Sequence, residues 1–352
     1  MKKAIEFLKA LKPTDNVIIV SHNDGDGICS AILMKKFMKK YAKLEPEKVM
    51  CQPMPVDKNL PQRIKSYLPN KLIFLDLAMD QQMGVIKELK KYAKILIIDH
   101  HQITRKPTGV TYFNPRERNP NIYRSASYLV YKLCSNIIDM SDFLWFAIVG
   151  IVSDYDIKDS MDLIEKAKKK YPEYIKKTDQ KSIRKSFFGN ISDMINAFKA
   201  KEKARPEKII KILESIEEPK DLLYSENAMD LISAYKEVEN KLSEVKKDIE
   251  KNLEVFGKII FYKLSSGLNL RSAVSTILSE KYLDKLVIVW QERGGEIKLS
   301  ARNQDKKIDA AAVLQKAVGT GFAGGHKAAA GATIKKSDWP KFRERLIKVV
   351  NG

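Results

Sequence analysis

Apolar and polar positions change places in blocks along the first 155 residues. Val17-Ile18-Ile19-Val20, the strand over 71–75 with Leu72-Ile73-Phe74-Leu75, and the run from Ile95 to Ile98 are continuous apolar stretches, each the length of a short buried strand. Between them, residues 28–42, 60–67 and 81–92 read as helices. Residues 1–12 predict a leading helix closed by Pro13. Residues 49–56, with Pro53 and Pro55, predict an edge strand, and 110–113 a second one. Strands alternating with helices in this way predict a mostly parallel sheet with flanking helices. Helices over 125–136 and 141–152 complete that unit.

The pattern then changes. Residues 155–255 are helical, rich in Lys and Glu, and short of strand signals. Leu231, Ala234, Tyr235, Val238, Leu242, Val245, Ile249 and Leu253 recur at three and four, which predicts one long connector helix over 227–253. From 257 onward strands return at 258–264, 286–291, 296–300 and 329–334, with helices at 271–283, 308–318 and 337–350. Gly294-Gly295 predicts a hairpin, and 319–327 a Gly-rich turn. The expected fold is α/β: an N-terminal domain over 1–190, a helical linker with the connector helix over 191–255, and a smaller C-terminal α/β domain over 256–352, with the active site in the cleft between the two domains.

What ends the apolar runs carries the chemistry. The first stops at Ser21-His22-Asn23-Asp24-Gly25-Asp26-Gly27, the second at Asp76, the third at Asp99-His100-His101, and the apolar stretch Trp145 to Val152 at Ser153-Asp154. His22, Asp24 and Asp26 stand at every second position, which in an extended turn points all three to one side. Alone, the first turn reads equally as an Asx-rich turn with Asp26 near a helix N-terminus. Four apolar runs that each end in Asp or His favour a cation. Three of the chain's four His lie at these ends, and the fourth, His326, lies in the Gly-rich turn. The C-terminal edge of an open α/β sheet is where ligands bind. Carboxylates and imidazoles without thiolates suit Mn²⁺ or Mg²⁺ over a structural Zn²⁺ site, and the His content favours Mn²⁺.

Composition narrows the partner. The 352 residues carry a net charge of +20, with a pI near 9.5, which favours a polyanion, nucleic acid first. Thermophilic composition also raises Lys, but Glu would then rise with it. Cys29, Cys51 and Cys134 are few, odd in number and without metal-type spacing, so they read as reduced thiols of a cytoplasmic protein. No apolar run nears a membrane span, and the start of the chain is an amphipathic helix rather than a signal peptide.

Taken together, His22-Asn23-Asp24-Gly25-Asp26-Gly27, Asp76, Asp99-His100-His101 and Asp154 resemble the four motifs of the DHH phosphoesterase superfamily. Gly324-Gly325-His326, followed by Ala328-Ala329-Ala330-Gly331, resembles the signature of the DHH-associated C-terminal domain. The resemblance implies two divalent ions: His22, Asp24 and Asp76 on one, Asp26, His100 and Asp154 on the other, with Asp76 shared. Such a pair suits phosphodiester hydrolysis without a side-chain nucleophile. It further implies that Asp99 orients an imidazole and that His101 faces the scissile phosphate. Arg302, Gly324, Gly325, His326 and Lys327, with Arg271 and Asn196 as weaker candidates, would bind substrate. The plainer reading of the Gly-rich stretch is a tight helix-to-strand connection. Arg116, Arg118 and Arg124 read equally as phosphate contacts and as solvated loop charge.

Within that superfamily the segment Phe187 to Phe198 is similar to the RecJ segment with an Asn-Ala pair, here Asn196-Ala197; Phe198-Lys199 stands where RecJ has Gly-Arg. Lys199 replaces the charge but not the bidentate geometry of an arginine. The chain resembles the compact archaeal relatives of RecJ, which implies an exonuclease acting on single-stranded DNA or RNA, with a replisome partner of the GINS kind conceivable. Small-substrate phosphoesterases of the superfamily (a nanoRNase, a 3′-phosphoadenosine 5′-phosphate phosphatase or a cyclic-dinucleotide phosphodiesterase) share the chemistry but have no need of the basic charge. An inactive Cdc45-like scaffold has no reason to keep a complete ligand set.

Overall fold

The computed structural model describes the whole chain except Glu202, Lys203, Thr320 and His326 and the side chain of Phe322. It divides into two compact units: Met1–Lys199 with Ala204–Ser233, and Ala200–Lys203 with Ala234–Gly352.

The first unit is built on five parallel strands, β1 (Val17–His22), β2 (Lys48–Gln52), β3 (Lys71–Leu75), β4 (Lys94–Ile98) and β5 (Thr111–Phe113), in the order β2-β1-β3-β4-β5. β1 and β3 are fully buried apart from His22, as continuous apolar runs covered on both faces should be. The chain leaves β1 for β2 on one side and reaches β3 on the other, so a topological switch lies between β1 and β3. β2 and β5 are the edges. β2 stops at Gln52, just before Pro53, which cannot donate to the ladder. Where one helix was expected over 81–92, a 3₁₀ turn at Met79–Gln81 precedes a shorter helix, Met83–Leu89.

The Leu144–Ser153 helix has no polar face: Leu144 to Val152 are all buried, as a helix apolar all round must be. It packs with the helices Gly25–Ala42 and Ala126–Ser135. Among the described residues between Met161 and Asn252 the regular elements are helices, the last of them Met229–Asn252.

The second unit holds a six-stranded mixed sheet: β6 (Glu254–Phe256), β7 (Ile259–Lys263), β8 (Leu286–Arg293), β9 (Glu296–Arg302), β10 (Phe322–Gly325) and β11 (Ala329–Lys335), in the order β10-β11-β9-β8-β7-β6. Its core gathers Ile259, Phe261, Ile288, Leu299, Leu314, Phe342 and Leu346. The Gly294-Gly295 hairpin joins β8 to β9. Two strands escape the hydrophobic pattern. β6 is an edge strand with all three residues exposed. β10 lies inside the expected Gly-rich turn, where glycines leave no alternation to read. Among the described residues no helix is long and apolar enough to cross a membrane.

Candidate metal centre

Three adjacent strands deliver the site at their C-terminal ends. His22 ends β1. Asp76 follows β3 and takes a left-handed backbone, φ 59°, which Asp tolerates better than most residues; its N–H donates to the Ile98 carbonyl at 3.0 Å. Asp99, His100 and His101 follow β4, where the Asp99 N–H donates to the Phe113 carbonyl at 3.1 Å. Asp24 caps the Gly25–Ala42 helix and accepts from the Gly27 N–H at 3.0 Å. A Cβ at Gly27 would stand 2.4 Å from the His22 carbonyl oxygen, so this turn closes only with glycine there.

Asp26 lies in the first turn of that helix, 1% exposed. Its two oxygens accept from the backbone N–H groups of Ala126 at 2.6 Å and Ser127 at 2.8 Å, the start of the Ala126–Ser135 helix. The helix N-terminus thus fixes the carboxylate. Asp154 caps the C-terminal end of the Leu144–Ser153 helix.

Around these supports the ligand-type atoms converge. His22, Asp24 and Asp76 each offer one atom, all within 4.8 Å of one another; so do Asp26, His100 and Asp154, and so do Asp76, His100 and His101. Asp76 lies between: His22 Nδ1 is 3.5 Å from its Oδ2, and His100 Nε2 is 3.1 Å from its Oδ1. His22 Nδ1 also lies 2.7 Å from Asp24 Oδ2, and His100 Nε2 3.6 Å from Asp154 Oδ2. Yet His22 Nδ1 and Asp154 Oδ2 are buried without a hydrogen-bond partner. Close approach without alignment is what lone pairs directed at a shared point produce, and an all-oxygen-and-imidazole donor set fits a divalent cation.

The electrostatics show the same unmet demand. Burial pushes Asp26 well above the carboxylate range, and the charges of Asp76 and Asp154 add to it. Burial likewise lifts Asp154 to about 7, with Asp76 adding and His100 opposing. Burial lowers His22 and His100, but Asp24 and Asp76 for the first, and Asp76 and Asp154 for the second, outweigh it and raise each to about 10. Desolvation raises Asp24, which is only half-buried, but the His22 charge outweighs this and holds it far down. Without a cation the cluster protonates to relieve itself.

Further residues support this centre. Asp99, fully buried, holds His101 Nδ1 at 2.7 Å, so the imidazole it orients is that of His101. Arg116 settles the alternative left open for it: its Nε donates to the His100 carbonyl at 2.6 Å and its Nη1 to the Pro120 carbonyl at 2.7 Å, while the guanidinium lies 5.6 Å from the Tyr123 ring centroid. It braces the backbone of His100. Arg124 donates from Nε to the Asp159 carbonyl at 3.1 Å. The Tyr123 ring meets His100 edge-on at 5.2 Å, and its phenol is raised by burial and by Asp154. Nothing in the periodicity singles out Tyr123, which lies in a Pro-rich loop. Lys199 is half-buried; desolvation lowers its pKa and the charge of Asp24 opposes this.

The other candidates are placed as follows. Asn196 is exposed on the Phe187–Ala200 helix. Arg302 ends β9, its Nε buried without a partner. Gly324 and Gly325 lie in β10, paired with Gly331 and Ala330 of β11, so they belong to a ladder rather than to an open turn. Lys327 is exposed, and its carbonyl accepts from the Ala310 N–H at 2.9 Å. Arg271 opens the Arg271–Lys281 helix and donates to Gln291 Oε1 at 2.8 Å. His326 lies outside the described residues.

A parallel sheet with carboxylates and imidazoles gathered at its C-terminal edge is a candidate site for divalent cations. Residues 16–151 match the DHH family, N-terminal domain, and residues 257–352 match the DHHA1 domain, so the chain carries a DHH N-terminal domain followed by a DHHA1 domain. Its fold is similar to that of RecJ from Thermus thermophilus in complex with Mn²⁺ (TM-score 0.78, 16% identity), with 100% of this chain covering 55% of that one. It is similar to an exonuclease RecJ bound to manganese (TM-score 0.75, 16% identity, 99% of this chain and 94% of that one). It is also similar to CDC45 from Entamoeba histolytica (TM-score 0.66, 11% identity, 100% and 98%). No curated protein matches the sequence.

Proposed function

We propose that the chain is a two-metal-dependent phosphodiesterase, a RecJ-like exonuclease releasing nucleotides from single-stranded DNA or RNA. The observation that carries this reading is the convergence of the His/Asp clusters on Asp76. His22 and Asp24 would hold one ion, Asp26, His100 and Asp154 the other, with Asp76 between them. When bound, such ions supply Lewis acidity toward a phosphodiester and acidify water. Mn²⁺ suits the imidazoles, and Mg²⁺ the carboxylates.

The chain's own groups do the rest. The start of the Ala126–Ser135 helix fixes Asp26, and Arg116 fixes the backbone of His100. Asp99 engages His101 Nδ1; burial lowers the imidazole's pKa but Asp99 outweighs it and raises it, which favours a ring whose other nitrogen would donate to a phosphate oxygen. Lys199 adds positive charge near Asp24. Arg302, Gly324, Gly325, Lys327 and Arg271 are proposed to hold substrate phosphate. A net charge of +20 supports a polyanionic strand over a dinucleotide. A GINS-like replisome partner belongs to the same reading.

The test incubates the protein and Mn²⁺ with end-labelled single strands, a matching duplex and a dinucleotide. Stepwise shortening of the long strands is expected. Cleavage of the dinucleotide alone moves the protein to the small-substrate branch, and no cleavage with intact binding makes it a CDC45-like scaffold.

A further inference from the structure

We propose that Tyr155 and Arg184 form a stacking shelf for one nucleobase of the strand held at the His/Asp centre. The inference rests on the exonuclease reading and adds a base-binding subsite to it.

Tyr155 directly follows Asp154. Its backbone is left-handed, φ 59°, an unusual conformation for an aromatic residue. Its neighbour enforces this. Asp156 is buried, its N–H donates to the Ile151 carbonyl at 3.0 Å, and its carboxylate accepts from the Ser125 N–H at 2.6 Å. With Asp156 turned into the protein, Tyr155 is left 56% exposed, next in the chain to Asp154 of the centre. Burial does not explain an aromatic ring in that position.

The ring has one partner of a telling kind. The Arg184 guanidinium lies 3.9 Å from its centroid. Among the described residues the arginines within 4.0 Å of a carboxylate are Arg63 and Arg343, so the Arg184 guanidinium has no carboxylate partner there. Arg184 ends the Gln180–Arg184 helix, and a Cβ at Gly189 would stand 2.0 Å from its carbonyl oxygen, which locks this helix end to the next helix. Lys158, Lys181 and Lys185, close in sequence to the pair, are exposed. A π face with an unpaired cation upon it, amid lysines, offers what a single strand requires: a sequence-tolerant platform for a base and positive charge for its phosphates. A tyrosine in the core would have no free face, and a salt-bridged arginine no free charge.

Abasic scanning tests the shelf. Wild type, Tyr155→Ala, Tyr155→Phe and Arg184→Gln, each the full chain with Mn²⁺, are given a single strand in which one nucleotide at a time lacks its base. Initial rates are read below saturation. Wild type is expected to lose about 5- to 150-fold when the stacked base is missing. Tyr155→Ala is expected to lose the same factor on the intact strand and nothing further at that position. Tyr155→Phe is expected to keep the wild-type profile, and Arg184→Gln to weaken it. A Tyr155→Ala profile that keeps the wild-type dip at every position overturns the shelf and leaves the exonuclease standing. A wild type that cuts no single strand overturns both.

Discussion

Replacing Asp154 by Asn separates the fold's interest from the site's. Metal-free, Asp154 is one of four carboxylates, with Asp24, Asp26 and Asp76, facing two imidazoles, and its side chain is 21% exposed. Burial above all, with the charge of Asp76, moves its pKa from 3.8 to about 7 against the pull of His100. Between those values the folded state keeps a proton that the unfolded chain has released. Stability therefore falls as pH rises through that window and is level above it. At about 1.4 kcal/mol per tenfold change, the ionised carboxylate costs the metal-free fold up to about 4 kcal/mol above pH 7. Asn keeps the shape and the acceptor oxygen and removes the charge. Denaturant unfolding in EDTA should show Asp154→Asn more stable than wild type by some part of that ceiling at pH 8, with the difference vanishing near pH 4. In Mn²⁺ the order should reverse, because ligand binding to the native state stabilises wild type more. A variant less stable than wild type in EDTA at pH 8 would refute the charge argument.

Arg116→Ala should keep the fold yet weaken Mn²⁺ binding by about 10- to 100-fold, the usual effect of removing a group that orients a ligand; calorimetric titration reads it, and unchanged affinity would show that the His100 backbone needs no brace. Gly150→Ala should destabilise by about 1–3 kcal/mol, because its Cβ would stand 2.2 Å from Ser127 Oγ and 2.9 Å from Asp26 Oδ1; a thermal melt equal to wild type would contradict that packing. Asp156→Asn should flatten the pH dependence of stability between 3.8 and about 6, since burial raises this carboxyl and the folded state holds its proton across that range. Unfolding curves at pH 4 and pH 7 check it.

The strand ends were legible because a buried parallel strand is a continuous apolar run, and the polar residue that stops it lies at the ligand-binding edge. His22, Asp76 and Asp99 to His101 were readable on that ground alone. The support of Asp26 was not: its donors, Ala126 and Ser127, lie 100 and 101 residues away, and backbone N–H groups leave no mark in a sequence. Charge in a loop is equally mute. Arg116 is spent on two carbonyls, whereas Arg184, inside an unremarkable helical stretch, is not among the described arginines with a carboxylate within 4.0 Å. The Gly-rich stretch hid β10 because strand propensity resides in side chains that glycine lacks.

The proposed function requires that these residues hold two divalent ions about Asp76. Equilibrium dialysis of the full chain against Mn²⁺, with the bound metal counted by atomic spectroscopy for wild type and Asp76→Ala, tests it most directly. Two ions per wild-type chain and fewer in a folded Asp76→Ala variant are predicted. Equal metal content in the two proteins, with hydrolysis retained in the variant, would show that Asp76 holds no metal and that the hydrolysis does not depend on it.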